Sequence, residues 1–207
     1  VGVEALNKNT DGLYNVGIGY RALKFNSGTN NVGVGGNAGG GNTAAAGSDN
    51  VSIGHNSGQY LEAGSRNISV GAYSGNNIRD SAENISIGHY SNRVDGFVNT
   101  VVGTYALYDP FNYGKDSNYN TVVGGYSSTT FVTNSLGINR NCFFGYRAAQ
   151  RVGDGGDDNV VIGHQSADSS FLRAPSNVII GANANRYIST GLGKNVCIGW
   201  QVASGLQ

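Results

Sequence analysis

The 207-residue chain contains no methionine, only 2 prolines and 2 cysteines, and charged residues at just 13% of positions. Globular chains ordinarily carry about twice that share of charge. The 13 basic and 13 acidic residues cancel and are scattered, so no Lys/Arg run exists to grip a phosphate backbone. Nucleic acid is therefore not an expected partner. Apolar runs stop after a few residues, too short for a membrane span or a signal-peptide core, and no membrane insertion is expected. The missing starter methionine reads as a processed start or an excerpt of a longer chain.

What the chain has in excess is glycine, at 34 positions. That is about twice the usual share. Such a chain is either low-complexity or made of many tight turns that need positive φ. The Val- and Ile-rich hydrophobic content of 39% favours turns around a packed interior.

The turns recur. A unit Asn-x-x-x-Gly appears eleven times: Asn15 with Gly19, Asn31 with Gly35, Asn50 with Gly54, Asn67 with Gly71, Asn84 with Gly88, Asn99 with Gly103, Asn120 with Gly124, Asn141 with Gly145, Asn159 with Gly163, Asn177 with Gly181 and Asn195 with Gly199. A truncated twelfth opens the chain, where Gly2-Val3-Glu4-Ala5-Leu6 aligns with Gly19-Tyr20-Arg21-Ala22-Leu23. The spacing between successive Asn residues runs from 15 to 21 and averages 18. Position Asn+1 is Val, Ile, Thr or Cys, and Asn+3 is always large and apolar, which is the period-two signature of a strand. The glycine four residues after Asn is expected to make the next bend. Three residues past it comes Ala or Ser in eleven of twelve units, small enough for a corner under the next coil. A strand this short cannot bury a face alone, so the expected fold is all-β: a parallel β-solenoid of about twelve coils, stacked ~4.8 Å apart. Asn suits a corner because it tolerates the left-handed region and can bond to its own copies along the stack.

The whole of 1–207 reads as one solenoid domain with three zones. Coils over 1–96 are regular, with a small residue at Asn+2; 97–146 carries enlarged, aromatic-rich loops; 147–207 returns to regular coils with an apolar residue there. The Asn+2 position, expected to point away from the coil's own core, switches from Gly17, Gly33, Ser52, Ser69 and Ser86 to Val101, Val122, Phe143, Val161, Ile179 and Cys197. An outward apolar stripe over six coils calls for a cover. A partner chain is one candidate, which would make those six residues a subunit interface; long linkers of the same chain are the other.

The stretch Asn15–Gly35, NVGIGYRALKFNSGTNNVGVG, resembles repeats of phage tail fibres and related bacterial surface proteins with the theme N-T-A-I-G-Y-x-A-L-x-x-N-T-x-G. NTVVGTYALYDPFNYGKDSNYNTVVGG from Asn99 restates the theme with an insertion. Both are similar to the YadA-type head repeat of trimeric autotransporter adhesins, although that repeat holds near fourteen residues and this one varies. The resemblance implies a parallel homotrimer of left-handed β-roll or β-helix chains, often followed by an intramolecular chaperone domain. It further implies a place on a virion, with other tail proteins as partners, or on a bacterial cell surface, and recognition of a bacterial surface glycan or protein.

Chemistry-bearing residues are sparse. Cys142 and Cys197 lie three coils apart, roughly 14 Å, beyond the ~7 Å Cα reach of a disulfide. They read as small buried hydrophobes, with contact among Cys197 copies at a trimer axis as the alternative. His55, His89 and His164 each follow the motif glycine two or more coils apart, too far for one chain to chelate a metal. They read as exposed turn residues, with an axial ion held by three symmetry copies as the other possibility. Asp154-Gly-Gly-Asp157-Asp158 is similar to calcium-binding β-roll turns, but those recur in every coil and this occurs once. No cofactor or metal is expected.

No Ser-His-Asp or Cys-His pattern marks a nucleophile, and no enzyme is expected. Carboxylates such as Asp109 and Asp116 still leave open a tailspike-like depolymerase acting at a subunit groove. Eleven of the aromatic residues fall between 97 and 146. Linkers 104–119 and 125–140 hold Tyr105, Tyr108, Phe111, Tyr113, Tyr119, Tyr126 and Phe131, the candidate ligand-binding residues. Packing of the enlarged loops against neighbouring subunits would explain the same cluster, and a pure spacer is the remaining reading.

Overall fold

The computed structural model describes residues 1–41, 47–108, 117–131, 137–153, 155–168, 172, 174–185 and 193–202. In chain order the strands are β1 (Val16–Ile18), β2 (Val32–Val34), β3 (Val51–Ile53), β4 (Ile68–Val70), β5 (Ile85–Ile87), β6 (Thr100–Val102), β7 (Thr121–Val123), β8 (Thr130–Phe131), β9 (Cys142–Phe144), β10 (Arg151–Val152), β11 (Val160–Ile162), β12 (Val178–Ile180) and β13 (Val196–Ile198). Eleven of them form one all-parallel sheet in the order β1-β2-β3-β4-β5-β6-β7-β9-β11-β12-β13, while β8 and β10 pair separately. No helix occurs among the described residues. The chain is a β-solenoid: each motif supplies one strand, and each strand lies in register on the next, Val16 on Val32, Val32 on Val51 and Val51 on Ile68.

The motif asparagine locks that register. Asn84 Oδ1 accepts from the backbone N–H of Asn99 at 3.0 Å and from its Nδ2 at 3.0 Å, while Asn84 Nδ2 donates to Asn67 Oδ1 and to the Gly96 carbonyl. The same bond to the next backbone N–H runs up the column Asn15, Asn31, Asn50, Asn67, Asn84, Asn99, Asn120, Asn141, Asn159, Asn177 and Asn195. The side chain replaces a ladder bond at the corner where the chain enters the strand, so a buried polar column costs little.

The motif glycine lies just outside the strand and ends it. Gly19, Gly35, Gly54, Gly71, Gly88, Gly103, Gly124, Gly145, Gly163, Gly181 and Gly199 all have φ between +124° and +142°, a region only glycine occupies freely. They also form a column of close backbone contacts. From Gly2 to Gly181, a Cβ on each would sit 2.2–2.7 Å from the carbonyl oxygen of the next, and one on Gly199 would meet Val202 Cγ2 at 2.7 Å. Two independent reasons therefore fix the residue, and both are structural. None of these eleven glycines contributes a side chain to any site.

Beyond the glycine the chain turns through left-handed residues at glycine+2 and glycine+4, such as Tyr105 (φ 53°) and Leu107 (φ 47°). Between them the small residue is inward and sealed: Ala22, Ser57, Ser74, Ala106, Ser127 and Ala148 are all fully buried.

The orientation of the strand side chains corrects the sequence expectation. Asn+2 points into the coil, not out of it. Val101, Val122, Phe143, Val161 and Ile179 are fully buried and Cys197 nearly so, all within one continuous core cluster of the single chain. As an outward stripe and subunit interface those six residues therefore fall away. Alternation fixes that Asn+2 and its neighbours face opposite sides, but not which side is inside. The narrow bore decides it. At the first coils the interior is filled from across, so that a Cβ on Gly33 would meet Leu23 Cγ at 2.7 Å. Only a small Asn+2 fits there.

The outer face is made by Asn+1 and Asn+3. Ile18, Ile53, Ile68, Ile85, Ile87, Phe144 and Ile162 are each at least one third exposed. The shift at Asn99 is thus a change of core. Over 50–92 the bore holds Ser52, Ser57, Ser69, Ser74, Ser86, Ser91 and Asn92 with Leu61 and Ile78 filling between them. From Val101 on it is aliphatic and aromatic.

Candidate functional site: an aromatic column beside an open sheet face

Two side-chain columns border the open sheet face. The residue before each Asn flanks the strand start, and the two residues after each Gly flank its end. The start-side column is mostly charged and polar, with Tyr14, Val98 and Tyr119 as its apolar or aromatic members. Asn30 Nδ2 donates to Asp49, Arg66 pairs with Glu83 at 2.7 Å, and Arg140 pairs with Asp158 at 2.6 Å. Hydrogen bonding to Arg140 holds the Asp158 carboxyl below its ordinary range and raises the guanidinium above its own. Asp157 also accepts from the Asn139 backbone, so the two described carboxylates of the 154–158 acidic string serve the stack. Asp154 lies outside the described residues.

The end-side column is aromatic. Tyr73, Tyr90, Tyr105 and Tyr126 stand two residues past Gly71, Gly88, Gly103 and Gly124 in four successive coils. Their rings stack nearly parallel, with centroids 4.6, 5.2 and 5.3 Å apart. One position earlier, His55 and His89 pack edge-on against this stack, and Tyr146 and His164, directly after Gly145 and Gly163, extend it. The interplanar angle is 70° between Tyr126 and Tyr146, so the regular stack breaks there. Tyr108 stands edge-on to Tyr90 and Tyr105, and its hydroxyl accepts from Arg93 at 3.0 Å. Burial pushes the Tyr90 phenol above its ordinary range, with Tyr73, Tyr105 and Tyr108 adding to the rise and Arg93 opposing it.

Of the residues singled out in the sequence, this arrangement unites Tyr105, Tyr108 and Tyr126. Tyr119 stands apart in the start-side column, 61% exposed and left-handed. Phe131 lies in β8, beside β10. Phe111, Tyr113, Asp109 and Asp116 lie outside the described residues. The three histidines are exposed turn residues, as their place after the glycine implied, and all three join the column. Sequence reasoning missed Tyr73, Tyr90, Tyr146, Arg93 and Arg147 because it searched the long linkers. The signal was the column itself, tyrosine at glycine+2 in four consecutive units.

Cys197 is buried in the core, whereas Cys142 is half-buried on the outer face, where burial raises its thiol; both are free. Among the described residues no three His, Cys, Asp or Glu side chains come together as a metal site. A pocket of about 140 Å³ lies near Arg21 and Lys24, but both cations already pair with Glu4. Comparison with protein-family models, with curated proteins and with solved structures finds no match to this chain.

Proposed function

We propose that the chain is a structural and receptor-binding segment of a trimeric fibre of the phage-tail type, recognising a glycan or protein on a bacterial surface. One observation carries the reading: a solenoid whose long outer sheet face is mostly apolar and partly exposed along its length. Eleven strands at ~4.8 Å make that face about 50 Å long. At about 10 Å wide it covers on the order of 500 Å², the upper part of the roughly 300–600 Å² range of the largest patch on a soluble monomer, where such patches are often functional. Two further copies about a common axis would cover it, placing Asn+1 and Asn+3 rather than Asn+2 at the contact. The aromatic column then stands at the rim of that contact, on a scaffold stiff enough to display it.

Light scattering on the purified chain tests the assembly, with a mass three times 21.4 kDa expected. A stable monomer rejects the trimer. Binding of labelled protein to a panel of bacterial strains tests recognition, and a folded protein that adheres to none of them rejects it.

A further inference from the structure

The aromatic column has a polarity and a period that select among surface ligands. Because Tyr73, Tyr90, Tyr105 and Tyr126 stack on each other, much of each ring face is taken by a neighbour. The column offers ring edges and hydroxyl groups at near-constant intervals, and whole ring faces only where the stack breaks at Tyr126 and Tyr146, both about 40% exposed. Hydrogen-bonding edges at one coil spacing suit a ligand that is itself a repeating, hydroxyl-rich polymer in an extended form. A folded protein partner has no such translational repeat.

The cations sharpen the choice. Arg93 lies over Tyr108, and Arg147 lies over Tyr146. Among the described residues neither has a carboxylate partner, whereas Arg66 and Arg140 on the opposite border both do. Both side chains are partly exposed. Two partly exposed guanidiniums with no carboxylate partner among the described residues, beside a stack of phenols, suit anionic oxygens. The two arginines belong to coils three steps apart, about 14 Å along the axis.

We propose that this column binds an extended acidic polysaccharide lying parallel to the solenoid axis. Uronate-type carboxylates meet Arg93 and Arg147, and sugar hydroxyls bond along the tyrosine edges. The assignment rests on the recognition reading above and names the ligand class for it.

Calorimetric titration of the full chain with polygalacturonate, and with dextran as the neutral control, tests the proposal. Saturable binding of polygalacturonate that weakens with added salt is expected, with none to dextran. The R93Q/R147Q double variant should lose about tenfold or more in affinity with its thermal unfolding unchanged. The R66Q variant, on the other border, should bind as the parent does. Absence of polygalacturonate binding, equal binding of dextran, or a folded double variant that binds undiminished overturns it. Cell adhesion that persists in excess polygalacturonate rejects only the ligand class. Absence of adhesion to every strain rejects recognition itself.

Discussion

At the scale of the residue, three positions per coil hold left-handed backbone: the residue before Asn, and glycine+2 and glycine+4. Asn30 and Asp49 suit the first of these, but Val98 (φ 58°) does not, since a β-branched side chain crowds its own carbonyl there. Val98 is 41% exposed, so little packing is lost by replacing it. Val98→Asn should stabilise the fold by about 1 kcal/mol, measured as a rise in the denaturant midpoint. The motif asparagine gives the opposite result. Asn84→Ala removes the acceptor for two donors of Asn99 and the donor to Gly96, all buried. A loss of about 3 kcal/mol is expected, and a loss below 1 kcal/mol would refute the column as a register lock.

At the scale of the element, much of the stack was legible in the residues alone. Every strand of the large sheet begins directly after a motif Asn and ends directly before a motif Gly. The inside of the coil was not legible, because period-two alternation is symmetric under exchange of faces. Its direction depends on bore width, which emerges only when Leu23 is seen opposite Gly33. The aromatic column was hidden for a related reason. Its members are 15 to 21 residues apart and meet only through stacking, so a search for local clusters passes over them.

With the direction settled, Phe143→Ala should cost about 3 to 5 kcal/mol. Phe144→Ala, on the open face, should cost the isolated chain far less, and comparable losses for the two would contradict the assignment. The charged border adds a pH term. Hydrogen bonding to Arg140 depresses the Asp158 carboxyl in the folded state, so its contribution is present above the ordinary carboxylate range and lost as pH falls through the depressed value. Asp158→Asn should flatten the acid side of a melting-temperature profile and leave its alkaline side unchanged.

At the scale of the whole molecule, the proposed assembly rests on the open face. Ile53 on β3 and Ile87 on β5 are each 40% exposed on this face. Ile53→Asp combined with Ile87→Asp should leave the single chain folded while breaking the proposed trimer, read as a drop to one chain's mass with an unchanged β spectrum. Retention of the trimer mass would move the contact elsewhere on the surface.

The asparagine and glycine ladders are alike in every coil, and that has a cost for a folding chain: they cannot count. If one coil were looped out and β3 stacked directly on β5, both ladders would still close. Only the contents of the bore distinguish one floor from another. Leu23 demands a glycine opposite, and Phe143 demands room that a serine coil does not supply. Ser52, Ser69 and Ser86 offer no such distinction. Skipped-coil errors should therefore concentrate in the serine-lined half, whereas the aliphatic half corrects its own frame.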